Sequence, residues 1–141
     1  MALRKIIVGH DGSPAAHRAT EWAAARAGES GAEVTVITVM DPDTQLALDV
    51  LPRRGNWRED VHTLLRTTWT QSLRDAGVTF HVKVVEGRVA PTLMEMAADL
   101  PADLIIVGSH GHGNVGDRLL GSVTYRLVHR APCPVTVVPP A

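Results

Sequence analysis

The sequence predicts a single α/β domain built on a mostly parallel, five-stranded sheet. Three observations carry that prediction. Short β-branched runs recur along the chain and alternate strictly with stretches of helical period, which is how βαβ units read. The chain has 141 residues, 45% apolar and 21% charged, the balance of one globular domain with a real core. No internal repeat, low-complexity tract or linker divides it.

The elements follow in order. Ile6, Ile7 and Val8 form a β-branched run that stops at Gly9, a strand covered on both faces. Ser13-Pro14 opens a helix, because Ser caps free N–H groups and Pro fits the first turn. Ala16, Ala19, Ala23 and Ala27 line one face of it, small enough to sit close to a sheet, and Gly28 and Gly31 bracket its end. Val34 to Met40 is the second strand. The polar stretch Asp41 to Gly55 reads as a long surface loop. Asn56 and Glu59 have capping-box spacing. Val61, Leu64, Leu65, Thr68, Trp69, Ser72 and Leu73 then keep one helical period to Gly77. Val78 to Val85 alternates, a strand at or near a sheet edge with one wetter face. Gly87 and Pro91 lead into a helix with Leu93, Met96, Ala97 and Leu100. Leu104 to Val107 is the fourth strand. A helix over roughly Arg118 to His129 and a strand at Val135 to Val138 complete the chain.

Composition narrows the function. The net charge is −1, only Lys5 and Lys83 are lysines, and the arginines are scattered. No basic stripe tracks a phosphate backbone, so nucleic acid is excluded as a main ligand. No apolar run approaches the roughly 20 residues of a membrane helix. The opening MALRKIIVGHDGS does not read as a signal peptide. Cys133 is the single cysteine, which excludes an internal disulfide and fits a reducing compartment. A cytoplasmic protein is expected.

The segment VGSHGHGNVGDRLLGSVT, Val107 to Thr124, carries the chemistry. It holds five of the twelve glycines directly after the fourth strand. Parallel α/β sheets bind ligands at the carboxyl ends of strands where connections diverge. Gly108, Gly111, Gly113 and Gly116 let the backbone approach a ligand and take positive φ. Gly121-Ser122 lies near the start of the last helix, where free N–H groups and the helix dipole favour an anion. The Ser122 hydroxyl can donate to a phosphate oxygen, cap the helix, or both. Asp11, after the first strand, either holds ribose hydroxyls or caps the Ser13-Pro14 turn. No GxxxxGK[ST] is present, and Gly9-His-Asp-Gly12 is not a GxGxxG fingerprint. A phosphate cradle here is therefore made mainly of backbone N–H groups.

These residues resemble a family. Gly108, two residues, Gly111, nine residues and Gly121-Ser122 resemble the G-x2-G-x9-G-[ST] signature of the ATP-binding universal stress proteins. IIVGHDGS and APCPVTVVP resemble the family's first and last strands, so the likeness spans essentially residues 1–141. The resemblance implies a Rossmann-like sheet in the order 3-2-1-4-5 with helices on both faces. It implies that Gly9 and Asp11 lie in the acidic turn at adenine or ribose, and that the backbone of Val39 reads the adenine edge. Val107 and Gly108 lie beside the ribose, and Gly111, Gly121, Ser122 and Val123 form the triphosphate cradle. The implied ligand is ATP, with ADP or AMP as alternatives, carrying Mg2+ or Mn2+ on its phosphates. A homodimer through Val135 to Val138 is implied, and a role as a stress-response regulator read by a protein partner. Slow ATP hydrolysis or autophosphorylation is the enzymatic alternative, with His110 and His112 as candidate bases, and a nucleotide-free interaction domain is the third.

The loop departs from the family pattern at His112, Asn114, Gly116 and Asp117, which leaves fewer positive charges near the phosphates. His110 and His112 lack a cysteine partner and are a weak zinc signal. Cys133, Trp22, Trp57 and Trp69 read as packing residues, with Trp57 near enough to the long loop to approach the site. Arg53 and Arg54 read as a solvated loop pair, with a reach toward phosphate as the alternative.

Overall fold

The computed structural model describes residues 2–41, 57–110 and 121–140. Five strands, β1 (Lys5–Gly9), β2 (Glu33–Met40), β3 (Phe80–Glu86), β4 (Leu104–Gly108) and β5 (Val135–Val138), form one parallel sheet in the order β3-β2-β1-β4-β5. Among the described residues five helices lie between them: α1 (Pro14–Ser30), α2 (Trp57–Arg66), α3 (Gln71–Asp75), α4 (Val89–Asp99) and α5 (Ser122–Arg130). The strand order and helical layers are those the resemblance implies. Residues 42–56 and 111–120 lie outside the described residues, and with them the long loop, Arg53, Arg54, Asn56 and the middle of the glycine segment.

The sheet separates two apolar cores. On one face Ile6, Val8, Val34, Val36, Leu104 and Ile106 meet the alanines of α1 and the Val61, Leu65, Trp69 and Leu73 side chains. On the other, Ile7, Ile37, Val39, Ile105 and Val107 meet Leu93 and Ala97 of α4 and Leu127 of α5. Continuous β-branched runs suit strands covered on both sides. β3 instead alternates exposed and half-buried residues, as an edge strand should.

Helix α1 is bounded as the sequence predicts. Ser13 is extended (φ −74°, ψ 159°) and its side chain accepts from the Ala16 N–H, with Pro14 in the first turn. Gly31 ends it in the left-handed region (φ 78°), its N–H bonded to the Ala27 carbonyl. The close approach expected of the alanine face is concentrated at Ala15. A Cβ on Gly108 would lie 2.7 Å from the Ala15 Cβ and 2.8 Å from its carbonyl carbon.

The predicted single helix to Gly77 is split. α2 stops at Arg66, Thr67 turns away (φ −122°, ψ −94°), and a 3-10 turn at Thr68–Thr70 leads into α3. Val61, Leu65, Trp69 and Leu73 are four apart, and four residues overshoot one helical turn. Across three such steps a continuous helix would rotate the apolar positions by about 120°. The break resets that rotation, and all four are buried. Side chains satisfy the released carbonyls. Thr67 Oγ1 donates to Thr63 at 2.7 Å, and the Arg74 guanidinium donates to the Arg66 and Thr67 carbonyls.

Cys133 is half-buried, and desolvation raises its thiol pKa, which keeps it a packing group rather than a nucleophile. At the amino ends of the central strands, Asp103 Oδ2 accepts from the N–H groups of Arg4 (2.9 Å) and Lys5 (3.0 Å). Its own N–H donates to the Lys5 carbonyl at 2.8 Å. The backbone N–H donors, Arg4 first and Lys5 second, hold the Asp103 carboxyl below its usual pKa.

Gly28 lies inside α1, exposed, with nothing within 4 Å of the place a Cβ would occupy. Gly28→Ala should stabilise by about 0.5–1 kcal/mol, read as a rise of about 3 °C in Tm. For Asp103 the folded pKa is depressed, so its contribution is present above the unfolded pKa and is lost as pH falls through the folded one. Asp103→Asn should therefore be less stable than the parent at neutral pH, and the gap should close on acidification below about pH 4. Thermal melts of both proteins across that range measure it.

Candidate functional site

The site lies where the connections from neighbouring strands part. β1 and β4 are adjacent and parallel; the first leads into α1 on one sheet face, the second into α5 on the other. Such a switch point leaves a crevice at the carboxyl ends of the strands.

On the β1 side, His10 is held by its backbone. Its N–H donates to the Ile37 carbonyl at 2.9 Å, and its carbonyl accepts from Thr38 Oγ1 at 2.8 Å. Its ring is buried, stacked on Trp69 (centroids 4.6 Å apart, 13° between planes) and edge-on to His17 at 4.8 Å. Nδ1 accepts from the Gly12 N–H at 3.0 Å, which places the ring proton of the neutral form on Nε2. Gly12 takes φ 84°, the left-handed turn that brings its N–H back to the ring. Asp11, half-buried between them, accepts from the Ser13 N–H through Oδ1 at 2.9 Å. Helix capping falls to Ser13, so Asp11 shapes the turn before the cap and has a second carboxylate oxygen for another donor.

On the β4 side, Ser109 continues the ladder, its N–H donating to the Val138 carbonyl at 2.9 Å. Its hydroxyl lies 2.9 Å from His110 Nδ1, and its carbonyl accepts from the Gly121 N–H at 2.9 Å. Thr124 Oγ1 donates to the Gly108 carbonyl at 2.8 Å. These last two bonds pin the start of α5 to the end of β4. Across the crevice Ser13 Oγ reaches the His110 carbonyl at 3.5 Å.

The amino end of α5 carries no side-chain cap. Gly121 is the cap residue (φ −61°, ψ 156°) and offers none. Ser122 is the first helical residue and is exposed. Capping by Ser122 is thus corrected by one position. The first-turn N–H groups of Ser122, Val123 and Thr124 have no intrahelical acceptor, and point along the positive end of the helix dipole.

Of the residues expected at the site, Gly9, Asp11, Val39, Val107, Gly108, Gly121, Ser122 and Val123 all fall on this sheet edge, and Gly111, Gly113, Gly116 and His112 lie outside the described residues. Their individual parts differ from the expectation. Gly108 lacks a side chain to admit Ala15, and it is absent from the positive-φ glycines Gly12, Gly31, Gly77 and Gly87. A Cβ on Gly9 would lie 3.0 Å from Leu93 and 3.2 Å from Val107, again a packing demand. Val39 and Val107 are core residues, so only their backbones can meet a ligand. The Gly121 N–H is taken by Ser109, which leaves its contribution as the absence of a methyl. Sequence reasoning missed His10, Thr38, Ser109 and Thr124. His10 had a signal, its place between Gly9 and Asp11; the Thr38 and Thr124 hydroxyls bond to carbonyls far away in sequence, the Ser109 hydroxyl to the neighbouring His110 ring, and none of the three left one.

Among the described residues no group of three or more His, Cys, Asp or Glu side chains gathers as a metal site, and no helix is long and apolar enough to cross a membrane.

Comparisons with known proteins agree with this architecture. The sequence profile of the universal stress protein family matches residues 2–139. A universal stress protein of Mycobacterium tuberculosis is 36% identical over 140 positions, covering 94% of this chain and 46% of the relative. The chain thus spans about half the length of that relative. A universal stress protein of Methanocaldococcus jannaschii is 34% identical, covering 96% of this chain and 81% of that protein. A universal stress protein solved in complex with cAMP matches over 100% of both chains, with a TM-score of 0.78 and 28% identity. The chain belongs to the universal stress protein family.

Proposed function

We propose that residues 1–141 form an adenine-nucleotide-binding domain that holds ATP on the carboxyl edge of β1 and β4. The observation that carries this reading is the start of α5, uncapped by any side chain and tied by Gly121 and Thr124 to the strand end beside the Asp11 turn. Its free amides and dipole suit phosphate oxygens without a lysine. The Ser122 hydroxyl and the Val123 amide join that cradle, with Gly111 completing it from the glycine segment. Asp11 takes ribose hydroxyls through its second oxygen, beside Gly9 and the backbones of Val39, Val107 and Gly108. The relative solved with cAMP supports the adenine class. Mg2+ or Mn2+ would rest on the phosphates and neutralise part of their charge. The nucleotide orders this edge, and a protein partner in the cytoplasm reads the ordered surface as a stress-response signal. The differential contact is with the phosphates.

The protein acts as a homodimer through β5. The Ile105 N–H bonds to the Pro134 carbonyl and the Ser109 N–H to the Val138 carbonyl. Main-chain groups alternate sides along a strand, so those of Val135 and Val137 face outward from the sheet edge, where a second copy can pair.

Calorimetry with ATP and adenosine, each with Mg2+, tests the nucleotide reading. Gly121 has a backbone any residue adopts, so Gly121→Ala should leave the fold intact. Its methyl should hold a phosphate oxygen off the first-turn amides of α5 and weaken ATP by about tenfold more than adenosine, the scale of one charge-assisted hydrogen bond. Asp11→Asn keeps the acceptor for the Ser13 N–H and should weaken both ligands alike. Equal losses in Gly121→Ala, or no binding of either ligand by the parent, count against the site. For the dimer, Val137→Pro removes one outward N–H and no bond to β4. Light scattering should then show a monomer where the parent is dimeric.

A further inference from the structure

The opposite edge of the sheet carries a second surface that the nucleotide reading does not use. A groove of about 750 Å³ runs between α2 and the outer strand β3, lined by Arg58, Glu59, His62, Thr63, Arg66, Lys83 and Val84. Arg58, His62 and Arg66 are four apart, so one stripe of α2 supplies two guanidinium groups and an imidazole. Lys83 comes from the strand, one of only two lysines in the chain.

The charge in this groove is unevenly spent. Arg58 bridges Glu86 at 3.0 Å and donates to the Val84 carbonyl at 3.0 Å. Among the described residues neither Arg66 nor Lys83 has an ion-pair partner, nor does the single further carboxylate of the groove, Glu59, so the groove's unpaired charge is net positive. Both cations are exposed.

The strand beside them is open. The Thr79 carbonyl accepts from Val34, and the Gly87 N–H donates to Met40, so odd-numbered residues of β3 turn their main-chain groups toward β2. By alternation Val82 and Val84 turn theirs outward, as the bond from Arg58 to the Val84 carbonyl also indicates. The Val82 N–H and carbonyl and the Val84 N–H therefore form a short unpaired ladder next to two unpaired cations.

We infer that this groove is a docking site for an extended, acidic segment of a partner protein, which adds a strand to β3 and places carboxylates against Arg66 and Lys83. Strand addition draws affinity from main-chain bonds and specificity from flanking side chains. The same charges select against a second copy of this chain, because pairing β3 with β3 would bring the two sets of cations together.

The test uses the whole protein and a fluorescent decapeptide in which pairs of Glu alternate with pairs of Val, so that an added strand carries carboxylates on both sheet faces, toward Arg66 on one and Lys83 on the other; binding is followed by anisotropy. The peptide should bind, and binding should weaken as salt is raised. Arg66→Glu combined with Lys83→Glu should reduce it by about tenfold or more, with an unchanged thermal melt and unchanged ATP binding. N-methylation of alternate peptide nitrogens should abolish it, since charge attraction alone would survive that change. The same peptide with Lys in place of Glu should not bind. The inference is overturned if the acidic peptide fails to bind, if the double variant binds it equally, or if the N-methylated peptide is retained. Tripolyphosphate binding at Arg66 and Lys83 in place of the peptide would also overturn it, and would mark a small-anion site instead.

Discussion

The carboxyl edge of β1 and β4 depends on one close contact, the first turn of α1 lying against Gly108 at the end of β4. At a Cβ distance of 2.7 Å from Ala15, no side chain fits there. That contact brings the Asp11–Ser13 turn alongside Ser109 and His110, two segments almost a hundred residues apart. Without it α1 would ride higher on the sheet, and Ser13 would no longer reach the His110 carbonyl. The alanine-rich face of α1 serves the same end, since small residues set the distance between helix and sheet along its whole length.

Around this contact the irregular backbone is held by side chains rather than by more sheet. Thr38 holds the His10 carbonyl, Thr124 the Gly108 carbonyl, and Asp11 the Ser13 amide. At the other end of the same strands Asp103 holds two amides with one carboxylate oxygen. Each is a short polar group answering a main-chain group that the parallel ladder leaves over. The rule that buried polar groups must find partners is met here by residues that look unremarkable in isolation. The amino end of α5 is the exception: its fold-internal bonds fix where it sits and leave its own first-turn amides to something else.

The large features were legible because their causes are local. β-Branched runs, Ser-Pro at a helix start and Gly after its end each act within a few residues, and the elements they predict are present. The glycine segment drew attention for the same reason: it follows a buried strand directly, at the edge where the connections from β1 and β4 part. What could not be read is what the glycines touch. Gly108 and Gly9 serve packing against Ala15 and Leu93, and only the paired elements reveal that. The break at Thr67 escaped because four-residue spacing mimics a continuous helix over two turns and drifts off it over four. His10 escaped because its ring turns toward Trp69, which follows it by 59 positions in the sequence.

That stack has a consequence of its own. Trp69 is buried against an imidazole whose main chain is bolted to β2 and whose Nδ1 holds the turn at Gly12. An indole's emission responds to the ring lying flat upon it. A displacement of the Asp11–Gly12 turn that moves His10 alters the stack on Trp69, so the protein carries an optical gauge of that turn, written in ultraviolet fluorescence and needing no attached dye.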